Sequence, residues 1–300
     1  MNGQSAATGG SRRVLLAGAG GQLGRALVAS TPAAIELIAC PRSQLDITDA
    51  GQVEARLAAL APHVVINAAA YTAVDRAEAE PAQAEAINLG GAANLARSCA
   101  ALGARLVHLS TDFVFDGAAG RPYAPQAPVA PLGVYGRTKA AGEAAVLAHA
   151  PSAVVLRTAW LYGPGGRNFL TTMLRLMAQG APLRVVADQI GTPSAVDGVA
   201  RAIWRLLAQP AVCGIQHWTD AGCASWYDFA VAIAEEATAA GHLAVEPVVV
   251  PIKTAQYPTP AARPAYSVLD CEATRQALAL PAEHWRKALR RVLGALPHRG

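Results

Sequence analysis

Val14-Leu15-Leu16-Ala17-Gly18-Ala19-Gly20-Gly21-Gln22-Leu23-Gly24 decides how the rest of the chain is read. Four apolar residues make a short buried strand, and the chain then turns through glycines into the helical pattern Gln22–Ala29. Gly18, Gly21 and Gly24 are spaced G-x-x-G-x-x-G. Glycine permits a sharp turn and lets backbone N–H groups approach a diphosphate, and a helix N-terminus adds partial positive charge at the same place. A glycine pattern alone is weak evidence; its position between the first strand and the first helix gives it weight. Gly18, Gly20, Gly21, Gln22, Leu23 and Gly24 are therefore expected to bind a dinucleotide.

Downstream the same alternation repeats. Glu36–Ala39, Val64–Asn67, Leu106–Leu109 and Val154–Leu156 read as buried strands; Ala50–Leu60, Ala82–Ala101 and Val134–Ala148 read as helices between them. Asp49 and Gln52 suggest a capping box, and Pro81 suits a first helical turn. This order predicts an α/β, Rossmann-type doubly wound parallel sheet with helices on both faces. After about residue 160 the pattern shifts to helices Asn168–Gln179, Ala195–Ala208 and Trp226–Ala239 with long Pro- and Gly-rich connections. The expected organisation is a flexible tail over residues 1–12, a dinucleotide-binding domain over 13–160 and a smaller C-terminal substrate lobe over 161–300. Segments near 187–215 are expected to return to the first domain.

The second strand ends at Ala39-Cys40-Pro41-Arg42-Ser43, without the acidic residue that would bond a ribose 2′-OH. Arg42 in that place favours a 2′-phosphate, so NADPH is expected in preference to NADH.

Composition limits the other classes. The 300 residues carry a net charge of +4 and no Lys/Arg run, which argues against a nucleic-acid partner and suits small anionic ligands. No apolar run reaches the ~18 residues a membrane span needs. The five cysteines are scattered and odd in number, so reduced thiols in a cytoplasmic protein are expected. No metal-ligand spacing and no nucleophile elbow occurs, and His108, on a buried strand, reads as structural.

Catalytic chemistry enters at two places. Ser110 and Thr111 end the fourth strand, and Tyr135 and Lys139 stand four apart on a helical pattern, sharing one face. Hydride reduction of a ketone leaves an alkoxide that needs a proton. A phenol can donate one, and a nearby ammonium would lower its ordinary pKa of about 10. Lys139 can also bond a nicotinamide ribose, and the hydroxyl of Thr111 or Ser110 can bond the substrate oxygen.

These residues resemble the extended short-chain dehydrogenase/reductases, and within them the dTDP-4-dehydrorhamnose reductase family. The matching segments are Asn67-Ala68-Ala69-Ala70-Tyr71-Thr72-Ala73-Val74-Asp75, Ser110-Thr111-Asp112-Phe113-Val114-Phe115-Asp116-Gly117 and Pro131-Leu132-Gly133-Val134-Tyr135-Gly136. Arg157-Thr158-Ala159-Trp160-Leu161-Tyr162, Asn168-Phe169, Asp188-Gln189-Ile190-Gly191-Thr192-Pro193 and Tyr257-Pro258-Thr259-Pro260-Ala261-Ala262-Arg263-Pro264 follow in family order. The resemblance implies reduction of the 4-keto group of a dTDP-linked deoxyhexulose with NADPH or NADH. Tyr135 would be the proton donor, Lys139 its partner and Thr111 the third catalytic residue. Asp46 and Ile47 would contact the adenine end, Ala68, Ala69 and Ala70 would line the cofactor, and Tyr71 would lie near its nicotinamide half. Thr111, Asp112, Phe113, Tyr135, Trp160, Asn168 and Arg263 would face the substrate, with Trp160 covering the sugar or nucleotide and Arg263 near the dTDP. Asn88 resembles a supporting asparagine of the superfamily. Phe113 stands where a tyrosine is common.

Some family members form a Mg²⁺-linked dimer through glutamates. Arg25-Ala26-Leu27 and Ala195-Val196-Asp197 fill those segments without glutamate, so no metal and a monomer or weak homodimer are expected. Two other functions stay open: reduction of another dTDP-4-keto-deoxysugar, and a non-catalytic regulatory subunit like that of methionine adenosyltransferase.

Overall fold

The structure, a computed structural model, describes residues 11–281 and 283–297. β1 (Arg12–Ala17), β2 (Ile35–Cys40), β3 (Val64–Asn67), β4 (Arg105–Thr111), β5 (Val154–Thr158) and a sixth strand, Gly214–His217, form one parallel sheet. Its order is Gly214–His217, β5, β4, β3, β1, β2. Every residue of β3 and β5 is buried. Parallel strands covered on both faces have no polar side to alternate with, which is why they read as continuous apolar runs.

The pleat sends alternate side chains to opposite faces. Val14, Leu16, Val64, Ile66, Val107 and Leu156 pack with Leu23 and Leu27 of the first helix, Gln22–Ala29, and with Val199 and Ile203 of helix Val196–Leu207. Leu15, Ala17, Val65, Leu106 and Val155 pack on the other face with Val53 and Leu57 of Ala50–Leu60, Leu95 and Cys99 of Ala92–Leu102, and Val146 of Val134–His149. A separate core, with Tyr162, Leu170, Phe229, Ile233, Trp285 and Leu289, joins helices Phe169–Met177, Trp226–Ala239 and Trp285–Gly294. Asn168 Nδ2 donates to Gln22 Oε1 at 2.8 Å, and Arg263 pairs with Asp75 at 2.8 Å. These contacts join the C-terminal half to segments that follow β1 and β3. Among the described residues no helix is long and apolar enough to cross a membrane.

Three expectations are corrected. Arg12, assigned to the tail, opens β1 opposite Ile35, and its guanidinium donates to the Leu207 carbonyl; residues 1–10 lie outside the described residues. The single helix expected over Ala82–Ala101 runs as Pro81–Glu85, a π-helical turn Ala86–Gly91 and Ala92–Leu102. A π turn inserts one residue without disturbing the flanking apolar pattern, so periodicity does not reveal it. At the start of Ala50–Leu60, Asp49 accepts the Gln52 N–H at 2.9 Å, but Gln52 Oε1 takes the N–H of Asp46 instead of closing the box.

Candidate active site

Strand order reverses at β1: the chain goes outward to β2, then crosses back to β3 on the other side. A crevice opens outside the carboxyl ends of β1 and β3, where open α/β sheets bind ligands. It holds a cavity of about 250 Å³ lined by Gly18, Gly20, Gly21, Arg42, Asp46, Ile47, Ala68, Ala69 and Ala70. Leu45 and Ile87 line it too, and neither carries a sequence signal beyond being apolar.

Two glycines make the cradle. Gly18 has φ +82°, and a Cβ there would lie 2.5 Å from the Ala69 backbone nitrogen. A Cβ on Gly24 would lie 2.3 Å from the Gly18 carbonyl oxygen, so only glycine lets the first helix press against the loop. A Cβ on Gly20 would meet nothing within 4 Å, so the space over its Cα is open, while its carbonyl accepts from Arg25. These features fit the diphosphate of a dinucleotide. Leu23 does not face the cavity with its side chain, which lies in the core. Gln22 is turned toward Asn168.

At the far end, Arg42 is 68% exposed and reaches Asp46 at 3.4 Å. Hydrogen bonds from the Thr48 backbone and hydroxyl, then the Arg42 charge, hold the Asp46 carboxyl below its ordinary pKa. This end of the cavity therefore offers a cation and a carboxylate together.

Beyond β3, β4 ends at Thr111. Its hydroxyl donates to Asp112 Oδ1 at 3.0 Å and accepts the Phe113 N–H at 3.2 Å, and it is a polar neighbour of the Tyr135 phenol. Phe113 meets the Tyr135 ring edge-on, 5.6 Å between centroids at 70°. Burial raises Asp112 to about 6 and the Tyr135 phenol to about 12; the Thr111 hydroxyl opposes the latter shift. Ser110, the alternative to Thr111, is committed elsewhere. Its hydroxyl donates to Glu143, whose carboxylate is held by Arg157 at 2.8 and 2.6 Å in a buried pair.

Lys139 lies one helical turn beyond Tyr135, as the spacing required, but its amine does not lower the phenol's pKa. Nζ donates to the Leu109 carbonyl at 2.6 Å and sits 3.4 Å from His108 Nε2. Directed at β4, it leaves burial to dominate the phenol. Burial also brings Lys139 itself down to about 8.

Asn88, on the π turn, clamps the Tyr71 backbone from both sides, at 2.9 and 3.2 Å, and donates to Thr138 at 3.1 Å. The Tyr71 phenol itself donates to Glu80 at 2.5 Å, away from the cavity lining. Glu78 accepts the Val134 N–H at 2.7 Å and so caps helix Val134–His149, whose N-cap residue Gly133 has no side chain. Glu78→Ala is expected to cost about 1 kcal/mol of stability, measured by denaturant unfolding, and to lower kcat by loosening the Tyr135 turn. Stability equal to wild type would rule out the cap.

A second cavity, about 440 Å³, is lined by residues that include Arg184, Gln189, Trp226, Tyr257 and Arg263. Trp160, at φ +46°, stacks on Trp226 with 3.5 Å between centroids and 4° between planes. Asn168 acts as an N-cap, closing a capping box with Thr171. Trp226 was missed from sequence; a tryptophan at a helix start gives no signal until its stacking partner is known.

The doubly wound sheet, the glycine cradle at its switch point and the neighbouring Thr111–Tyr135 pair define a Rossmann-type oxidoreductase. Residues 12–297 match the RmlD substrate binding domain, and the chain belongs to that family. It is 41% identical over 287 residues to the dTDP-4-dehydrorhamnose reductase of Aggregatibacter actinomycetemcomitans, covering 93% of this chain and 98% of that one. It is 44% identical over 281 residues to a probable dTDP-4,6-dihydroxy-2-methyloxan-3-one 4-ketoreductase of Streptomyces antibioticus, covering 93% of each. Among solved structures, the dTDP-4-dehydrorhamnose reductase of Bacillus anthracis in complex with NADP superposes with a TM-score of 0.90 at 36% identity. The match covers 94% of this chain and 99% of that one.

Proposed function

We propose that the protein reduces the 4-keto group of dTDP-4-dehydro-6-deoxy-L-mannose to dTDP-L-rhamnose, using NADPH or NADH. The observation that carries this is the placement of Tyr135 against Phe113 in the turn that follows Thr111 at the end of β4, next to the strand whose end, with that of β1, lines the glycine cavity. The family supports the substrate class. Gly18, Gly20 and Gly21 would hold the cofactor's diphosphate, Asp46, Ile47 and Arg42 its adenosine end, and Ala68 to Ala70 its inner half. The cofactor supplies the hydride. Tyr135 is the proton donor: with its phenol near 12 it is fully protonated at neutral pH. Its proton passes to the ketone oxygen as negative charge develops there and raises that oxygen's affinity for a proton. Thr111 orients the phenol, and Lys139, one turn away, would bond the nicotinamide ribose.

Trp160, Asn168, Arg263, Asp112 and Phe113 complete the substrate side of the proposal. Of these, Arg263 lines the second cavity together with Arg184, and the two guanidiniums would meet a nucleotide diphosphate there; Arg263 is also paired with Asp75. The expected division of the chain, with a dinucleotide domain and a substrate lobe, is part of the same reading. So are a cytoplasmic setting and a monomer or weak homodimer. Mixing the protein, NADPH and the 4-keto-sugar nucleotide should bleach the nicotinamide absorbance, and NMR of the product should show the rhamnose configuration. No oxidation with this substrate or its stereoisomers would reject the reductase reading. The Streptomyces relative supports a second reading, in which another dTDP-4-keto-deoxysugar is the substrate; product configuration decides between them.

Arg42 gives the cofactor prediction. A guanidinium on a 2′-phosphate is a charge-assisted pair, weakened here by solvent. Arg42→Ala is expected to raise KM for NADPH about tenfold and leave NADH within about twofold, since ~1.4 kcal/mol is a factor of ten. An unchanged ratio of kcat/KM for the two cofactors would reject a role for Arg42.

A further inference from the structure

Trp160 holds a backbone conformation that large side chains rarely adopt. Among the described residues other than glycine, positive φ occurs at Ala61, Trp160 and Ala279. The two alanines are C-caps, where a left-handed residue is ordinary. Trp160, at φ +46°, ends no helix. It lies two residues beyond β5, whose last residue, Thr158, is in register with Thr111 of β4. The half-buried tryptophan therefore leaves the sheet beside the reacting end.

A strained residue persists only where its surroundings hold it, and such residues gather at ligand clamps. Two neighbours hold Trp160. Its ring lies on that of Trp226, 3.5 Å between centroids at 4°. Aromatic pairs free to choose take offset or edge-on arrangements, so this near-complete overlap is imposed. Gly191 is the second neighbour. A Cβ there would stand 2.5 Å from Trp160 Cε2 and 2.6 Å from Nε1, so the ring fits only against glycine. Both supports come from one ladder: Ile190–Gly191 pairs antiparallel with Ala224–Ser225, and Trp226 is the next residue. Ser225 and Asp228 close a capping box that fixes the start of helix Trp226–Ala239. Trp226 then carries the contact onward. It lines the second cavity with Phe169, whose ring lies 4.7 Å from its own, and with Arg184 and Arg263.

We propose that Trp226 is a positioning residue that acts through Trp160: the stack holds the strained indole as a fixed wall between the end of β5 and the second cavity, and so sets the orientation in which a sugar nucleotide presents its keto group. The inference rests on reading Trp160 as a residue that covers the substrate. Packing alone would be met by tilted rings, as Phe169 and Trp226 are, with no left-handed backbone.

Stacked indoles couple their ultraviolet transitions. Wild-type protein should therefore show an exciton couplet in circular dichroism that Trp160→Phe and Trp226→Phe each abolish. No couplet, or one that survives either change, overturns the proposal. In turnover with NADPH and the 4-keto-sugar nucleotide, Trp226→Leu should raise KM about tenfold and lower kcat by up to about 100-fold, the scale for a misplaced reactant, with the Kd for NADPH within about twofold of wild type. Trp226→Phe, which keeps a flat ring, should recover most of that loss. Because the effect passes through Trp160, Trp226→Leu made in a Trp160→Leu background should change KM by less than about twofold. A Trp226 that only packs would lower Tm and leave kcat and KM unchanged, and that result overturns the proposal, as does an undiminished effect in the Trp160→Leu background. If Trp226→Leu fails to fold, Gly191→Ala replaces it, since its Cβ displaces the same ring with Trp226 intact; unchanged kinetics there overturn the proposal too. Wild-type protein that oxidises no NADPH with this substrate or its stereoisomers removes the reductase reading and this inference with it. An active wild type whose kinetics ignore Trp226 removes this inference alone.

Discussion

Tyr135→Phe is expected to lower kcat by about 10²- to 10⁴-fold, the range for loss of a positioned general acid, while the Kd for NADPH stays within about twofold. The substitution removes one O–H and keeps the ring, so the edge-on contact with Phe113 and the burial of the helix face survive. What disappears is the buried phenol O–H beside the turn that ends β4. The cofactor cavity is lined by other residues and should be untouched. Stopped-flow reduction separates the two quantities: a slow chemical step with normal nucleotide binding supports the role, and a rate near wild type eliminates Tyr135 as the acid.

Gly18→Ala is expected to act on binding and folding together. At φ +82° an alanine is strained, and its Cβ would stand 2.5 Å from the Ala69 nitrogen and 2.7 Å from the Ala68 carbonyl carbon. Both neighbours are backbone, so neither can swing aside. Strain and overlap together should cost about 2–4 kcal/mol and lower Tm by several degrees. The wall formed by Ala68 and Ala69 would be pushed from its place, and NADPH affinity should fall by at least about 100-fold. Fluorescence titration and thermal melting measure the two effects. Gly20→Ala is the control, because a Cβ there meets nothing within 4 Å; its melting temperature should stay near wild type. A Gly18→Ala protein with normal Tm and normal NADPH affinity would show that the cradle is not where the cofactor sits.

Much of this architecture could be read from the chain. Val64–Asn67, Gln22–Ala29, Ala50–Leu60 and Trp226–Ala239 have the same bounds in the sequence pattern and in the structure. Buried parallel strands leave uniform apolar runs, and helix faces leave a 3.6-residue repeat; both signals are local. The glycine loop was equally plain, since its spacing reflects steric demands that few residues beyond the loop impose. The π turn at Ala86–Gly91 was not visible, because its flanks keep helical periodicity. Nor was the pairing of Ser110 with Glu143 and Arg157, which gather from β4, a helix and β5.

The electrostatics divide in the same way. From spacing, Tyr135 and Lys139 were expected to interact directly, with the phenol's pKa lowered. Spacing puts two side chains on one helical face but does not say what the facing strand offers them. Leu109 and His108 on β4 offer an acceptor and a competing partner, and Lys139 takes them. Sequence alone therefore determined the class of fold and the place of the glycine loop, and it named Tyr135 as the candidate acid. Tertiary structure decided that Ser110 is committed to Glu143 and where the Lys139 amine points. Those outcomes depend on residues far apart in the chain, and burial sets their energies, because charge and hydrogen-bond direction matter most where water has been excluded.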